Sequence, residues 1–187
     1  MSYRVAVLMA VVLLRLWELW FSRENLRQAR EETQANPVAE PYFPLMVLFH
    51  GTWLAGCFAE GLLLDRPFQS WLVLPTLGLW IAALVLRVWI LTSMGTLWNV
   101  RVINRARQPV VTSGPYRLVR HPNYLAVIVE ITVVPLLVGA YWTALLATIA
   151  NGLVLWERIR REEAHLFRLP EYRDAFRGKK RFIPGLF

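Results

Sequence analysis

Two clusters of ionisable and aromatic residues carry the chemistry this sequence can do. The first is S-G-P-Y-R-L-V-R-H-P-N-Y-L-A-V-I-V-E at residues 113–130, a basic loop with two prolines that feeds straight into an apolar helix. Arg117, Arg120 and His121 fall where a membrane helix would meet water, and Pro122 suits the first helical turn, where a missing N–H costs nothing. The second is W-E-R-I-R-R-E-E-A-H-L-F-R-L-P-E-Y-R-D-A-F at residues 156–176. On a helix Arg158 and Glu162 are i, i+4 neighbours, as are Glu157 and Arg161, while Glu163 faces a different direction from Glu162. Alone, this reads as a solvated helix laced with weak ion pairs. It gains interest because it continues from an apolar span and so shares an interface with Arg120, His121 and Pro122.

Cations, carboxylates and rings at one mouth suit a zwitterionic ligand with an amine, a carboxylate and a flat ring. Arginine clamps a carboxylate in bidentate fashion. Glutamate holds an ammonium or ribose hydroxyls, and tyrosine or tryptophan stacks on a purine or faces a cation. No strand–GxGxxG–helix unit occurs, so a Rossmann-type cofactor fold is not available. Plainer roles stand beside these: His121 can cap the helix that follows it, and Glu162 can serve only as the partner of Arg158.

The elements that must position these residues are membrane spans. Of 187 residues, 56% are hydrophobic and 18% charged, too apolar for a soluble domain of this size. Apolar runs approach the ~20 residues that cross a bilayer. The spacing predicts an all-α polytopic bundle, a single domain over 1–187 with about five transmembrane helices at roughly 3–21, 42–64, 71–93, 123–139 and 141–156. A C-terminal helical cap follows, and residues 94–187 form the ligand-binding part. Asn36-Pro37 should end any helical extension of the first span, Gly139 and Ala140 can turn the chain between the last two spans, and Pro135 would kink the fourth. The first span, with no convincing cleavage site, reads as retained.

The net charge of +8 follows topology, since the cations flank apolar runs; no nucleic-acid partner is expected, and membrane lipids are. Arg23, Arg27 and Arg30 mark the 22–41 loop, Arg101, Arg105, Arg107, Arg117 and Arg120 the 94–122 loop, and nine Lys or Arg the tail from 157. Only Arg66 lies in the 65–70 turn. This places the N-terminus outside and both reactive clusters on the cytoplasmic side. Cys57 is the lone cysteine, and no Cys/His cluster has metal-ligand spacing.

Charges inside spans are costly and often functional. Arg15, Glu18 and Arg87 fall at similar depth in spans one and three. The two arginines either snorkel to the interface or build a polar pocket open to the cytoplasm. His50, near mid-depth in span two, is expected to make an interhelical hydrogen bond. Glu60, near the outer end, is expected to reach headgroups. Asn99 and Arg101 either line the pocket or bind headgroups, the latter being favoured.

G-P-Y-x-x-x-R-H-P-x-Y (residues 114–124), followed by R-I-x-x-E-E (158–163), then E-Y and R-x-I-P, resembles the isoprenylcysteine carboxyl methyltransferase family. R-L-x-E-L-x-x-S-R-x-N (15–25), P-Y-F-P-L-M-V-L-F-H (41–50) and M-G-x-x-W (94–98) extend the resemblance to a bacterial branch whose members beside polyketide synthase genes methylate phenolic lipids or alkylpyrones. The resemblance implies an integral membrane methyltransferase using S-adenosylmethionine. It assigns cofactor contact to Tyr116, Arg120, His121, Pro122, Tyr124 and Glu163, and the reacting end to Arg158 and Glu162. It also implies a lipophilic substrate entering sideways from the bilayer, with no obligate protein partner. The glycine that often follows the tail phenylalanine is missing, since Phe167 is followed by Arg168 and Leu169.

A carboxylate acceptor is already ionised, and an arginine such as Arg158 need only orient it. A phenol, with a pKa near ~10, benefits from a base such as Glu162 or His121. The residues offer both. Two rival readings keep part of this picture: an NADPH-dependent relative of the sterol reductases, which needs extra phosphate-binding cations and usually more spans, and a non-enzymatic module that holds anionic lipid.

Overall fold

The structure is a computed structural model; it describes residues 2–33, 36–37, 43–64, 66–67, 69–101, 103–104 and 110–184. Six helices account for nearly all of it: α1 (Ser2–Thr33), α2 (Phe43–Leu63), α3 (Ser70–Met94), α4 (Pro122–Val138), α5 (Tyr141–Leu166) and the short α6 (Pro170–Phe176). Among the described residues the only strand pairing is the two-residue antiparallel ladder of β1 (Asn36–Pro37) with β2 (Ile103–Asn104), plus a single parallel bridge between Val119 and Lys180. The all-α expectation holds.

Among the described residues three helices are long and apolar enough to cross a membrane: the first over Tyr3–Glu32, the second over Phe43–Leu63 and the third over Ser70–Leu97. α4 and α5 form a hairpin packed among them. α4 has only 17 residues, ten of them buried, so neighbouring helices rather than lipid surround much of it. Gly139 ends it with φ of +83°, a left-handed conformation that glycine adopts without strain, and α5 starts two residues later. Pro135 is accommodated fully buried within α4. Outward faces of α1 to α3 carry large apolar side chains such as Leu13, Trp20, Leu48 and Trp71, as a lipid-facing surface requires.

α1 runs well past its apolar part. Its 32 residues span roughly 48 Å at ~1.5 Å per residue, against a hydrocarbon core of ~30 Å. The polar extension docks on the segment after α3. Asn25 donates to the carbonyl of Trp98 (2.7 Å), Asn99 donates to the carbonyl of Ser22 (2.8 Å), and the Ser22 hydroxyl donates to Asn99 (2.9 Å). Arg105 and Arg107 lie outside the described residues.

At the opposite end Glu60 does not reach outward. It accepts the backbone N–H groups of Trp142 (3.0 Å) and Thr143 (2.8 Å) and pairs with Arg66 (2.9 Å). It thus satisfies orphan donors at the start of α5 from a different helix. Arg4 donates to the Gly61 carbonyl (3.0 Å) and the Arg66 carbonyl, and Arg66 to that of Gly139.

The two arginines in the spans do not snorkel either. Arg15 reaches Glu18 (2.7 Å) and both oxygens of Glu130 (2.7 and 2.6 Å). Arg87 reaches Glu18 (3.0 Å) and Glu130. Two cations and two anions from α1, α3 and α4 form a closed neutral cluster, with Arg87 and Glu130 only 3% exposed. Removing one member leaves a buried charge uncompensated. Glu130→Ala should lower stability in detergent by about 3–5 kcal/mol. Leu13→Ala, on the outer face and 61% exposed, should stay within about 0.5 kcal/mol. Reversible unfolding of the two variants checks this; equal stability would mean that the cluster does not hold the bundle together.

Candidate active site

The 113–121 loop is shaped by glycine and proline. Gly114 takes φ of +57°, and a Cβ there would lie 1.9 Å from the Ser93 hydroxyl on α3, so only glycine lets the loop lie against that helix. A 3-10 turn, Gly114–Arg117, follows, with Pro115 buried in its second position. The chain then pairs with the tail after α6. Arg120 N–H donates to the Lys180 carbonyl (2.8 Å), His121 N–H to that of Arg181 (2.9 Å), and the Lys179 ammonium to the carbonyl of Tyr116 (2.9 Å). Pro122 begins α4, where no N–H is needed.

α5 sorts its last turns into two stripes. Leu155, Ile159 and Glu163, at successive i, i+4 positions, face the interior. Arg158 and Glu162 form the neighbouring stripe and line a cavity of 980 Å³. Glu163 collects His121 Nε2 (3.0 Å), Arg120 Nη1 (3.2 Å) and Arg181 Nη2 (2.5 Å). Burial alone would raise its carboxyl, but the hydrogen bonds from His121 and Arg181 and the charge of Arg120 outweigh it and pull it down to about 2. Because an ionised carboxylate only accepts, His121 Nε2 carries a proton. His121 occupies the position before α4 but makes no side-chain cap there.

Across the cavity, the Tyr124 hydroxyl donates to Glu162, and the Arg158 guanidinium lies 5.6 Å over the Tyr124 ring. Arg158 also donates to the Val100 carbonyl (3.1 Å) and touches the Met46 sulfur. Tyr116 donates to the Met94 sulfur (3.0 Å); burial first, and then the charges of Glu162 and Tyr172, push its hydroxyl pKa up. Tyr172 of α6 is pushed up in the same direction by burial and stacks 4.6 Å from Phe176. The turn between α5 and α6 forms without glycine: Phe167 is right-handed, with φ of −70°.

Six of the residues nominated from the sequence therefore share one cavity: Tyr116, Arg120, His121, Tyr124, Arg158 and Glu162. Pro122 and Glu163 do not line it, and Glu163 acts behind it by holding Arg120 and His121. Asn99 and Arg101 line the cavity rather than facing away. Arg15, Glu18 and Arg87 border it too, which joins the charged cluster to the site. Glu130, the clamp of that cluster, carried no assigned role, although it ends the 113–130 run and two unpaired arginines in spans demand a buried anion. Arg181 and Tyr172 were also missed; R-x-I-P and E-Y were the available signals. Among the described residues His50 makes no interhelical bond. Its Nδ1 contacts the Met46 carbonyl within α2 (2.9 Å). No group of three or more His, Cys, Asp or Glu among the described residues is placed to hold a metal ion.

A helical bundle with apolar outer faces, and a cavity whose apolar walls are edged by charged and aromatic groups, is the architecture of a membrane protein. Residues 76–168, which include all eight nominated residues, match the isoprenylcysteine carboxyl methyltransferase (ICMT) family. The chain is 33% identical over 166 residues to the uncharacterized protein YpbQ of Bacillus subtilis (strain 168), covering 86% of this chain and 95% of that one. It is 33% identical over 113 residues to the nickel-cobalt-cadmium resistance protein NccN of Alcaligenes xylosoxydans xylosoxydans, covering 57% of this chain and 53% of that one. The chain belongs to the isoprenylcysteine carboxyl methyltransferase family and is a membrane methyltransferase.

Glu163 also sets an acid limit on the docking of the tail. Its carboxyl is depressed in the folded chain, so its contribution is full above the usual 4.5 and is lost as pH falls through about 2. Limited pepsin digestion should release the tail after α6 increasingly over that window. Glu163→Gln should reproduce the effect at neutral pH as faster tryptic cleavage at Lys179 and Lys180. Unchanged cleavage would mean that other contacts hold the tail.

Proposed function

We propose that the chain transfers a methyl group from S-adenosylmethionine to an oxygen of a lipophilic acceptor at the cytoplasmic face of a bacterial inner membrane. The observation that carries this is the 980 Å³ cavity, which joins Arg120, Glu162, Arg158 and three tyrosines to the apolar side chains of α2 and α5. Its size suits a nucleoside cofactor with part of a lipid, since ligand cavities run to ~300–1,000 Å³.

The residues present fit the cofactor. Arg120 can take its carboxylate, Glu162 its ammonium or ribose hydroxyls, and Tyr116 and Tyr172 can flank its purine. When bound it would supply an electrophilic methyl on a sulfonium. The protein would align the acceptor and exclude water. Arg158, anchored on Val100 and Met46 next to the apolar wall, would orient the acceptor oxygen. The basic segments 22–41, 94–122 and 157–187 support the orientation.

Calorimetry of the purified chain should detect S-adenosylmethionine; no binding at millimolar ligand would sink the reading. Radiolabelled S-adenosylmethionine incubated with a host lipid extract should yield a labelled lipid whose mass identifies the acceptor. Arg158→Ala should lower turnover by about 10²–10³-fold, with cofactor affinity changed far less. An equal loss in both would assign Arg158 to cofactor binding instead.

A further inference from the structure

α2 brings into the cavity a histidine whose tautomer is set by its own helix. His50 Nδ1 lies 2.9 Å from the Met46 carbonyl, one turn back. A carbonyl only accepts, so Nδ1 carries the proton and the neutral ring presents a bare Nε2 lone pair. Among the described residues Nε2 has no hydrogen-bond partner, and the side chain lines the cavity. Phe49 packs edge-on against the ring, 5.3 Å between centroids.

His50 lies near the reacting end. The same Met46 that holds its Nδ1 touches Arg158 through sulfur. Met46 thus contacts both side chains, and all three residues line the cavity. Charged groups face the imidazole from all three helices packed against α2: Arg15 of α1, Glu130 of α4 and Arg158 of α5. A small void of 10 Å³, room for about one water, separates His50 from Arg15 and Glu130. Of the other candidate bases lining the cavity, Glu18 and Glu157 are paired with arginines and His165 is solvent-exposed. Glu162 accepts the Tyr124 hydroxyl, and His121 Nε2 donates to Glu163.

We propose that His50 Nε2 is the general base of methyl transfer, a role that operates where the acceptor oxygen is a hydroxyl rather than a carboxylate. The proposal rests on the S-adenosylmethionine reading above. A carboxylate is ionised at neutral pH and needs no base, whereas a phenol ionises near ~10. In the step, the hydroxyl proton passes to Nε2 and an oxygen lone pair forms the C–O bond with the sulfonium methyl. The C–S bond breaks, with its electron pair retained by sulfur. The products are a methyl ether, a neutral thioether and an imidazolium, which later returns its proton to water.

The test uses the full chain in detergent micelles. Calorimetry with S-adenosylmethionine comes first: if the wild type does not bind it, the parent reading fails and this proposal with it. The second readout is independent of turnover. 4-Dodecyl-2-nitrophenol, coloured when ionised, is titrated in the presence of S-adenosylhomocysteine. Bound to the wild type it should ionise about one pH unit or more below its value in protein-free micelles, and His50→Gln should abolish the shift. Third, 4-dodecylphenol turnover at neutral pH should fall about 10²–10⁴-fold in His50→Gln, with unchanged cofactor affinity and recovery as pH approaches the pKa of the phenol. A wild type that binds S-adenosylmethionine yet methylates hexadecanoate and not the phenol overturns the proposal while leaving the methyltransferase reading intact. So does wild-type ionisation of the nitrophenol equal to that in micelles. The wild-type measurements decide the matter even where the variant fails to fold.

Discussion

A carboxylate held between two guanidinium groups in the middle of the bundle is the constraint on which the rest of the structure depends. Arg15, Arg87 and Glu130 come from α1, α3 and α4, and Glu18 closes the cluster to zero net charge. Any one of these charges alone in an apolar interior would cost several kcal/mol. Each is tolerated because it meets two opposite charges, so the helices carrying them have one acceptable mutual rotation and depth. That requirement makes α4 the hub. It also explains why a 17-residue helix serves there, since its polar group faces α1 and α3 and not lipid.

Two further charge locks lie towards the ends of the helices. Glu60 and Arg66 bind the α2–α3 turn to the start of α5. Glu163 binds the loop before α4 to the tail after α6 through Arg120, His121 and Arg181. The cavity lies between the central cluster and the Glu163 lock, so both of its ends are fixed by charge while its sides are apolar. Such an arrangement keeps polar groups preorganised without needing the bundle to be rigid along the apolar walls.

The helices were legible because span length, turn residues and the basic loops are local signals: α2, α3 and α4 start and stop close to where the apolar runs and Gly139 put them, and α5 continues past its apolar run into the charged tail. Most of the candidate site was legible too, because both motifs are dense in chemistry. What escaped depends on partners distant in sequence. Glu60 looks like a headgroup contact until α5 is seen to begin beside it, 82 residues later. Arg15 and Arg87 look able to snorkel until Glu130 is placed between them. His50 invites an interhelical bond, yet its donor finds the Met46 carbonyl in its own helix. In each case the residue type announced a need for a partner and spacing could not say which one.

The register of α5 shows how little separates structure from chemistry in this bundle. Glu162 and Glu163 are adjacent, about 100° apart around the helix, and do different work. Glu163 turns inward, to His121 and Arg181, and is pulled down to about 2; Glu162 turns to the cavity, to Tyr124. The same rotation places Arg158, four residues before Glu162, on the cavity side, and Ile159, four before Glu163, in the core. Shifting α5 by one residue would exchange the two stripes. It would aim an isoleucine into the cavity and bury an arginine against Tyr124 without an anion. The hydrogen bonds that Glu60 makes to the first turn of α5 fix that register from the far end of the helix. The placement of the reactive side chains therefore depends on a contact about five turns away, and on Glu163 holding its own stripe inward at the near end.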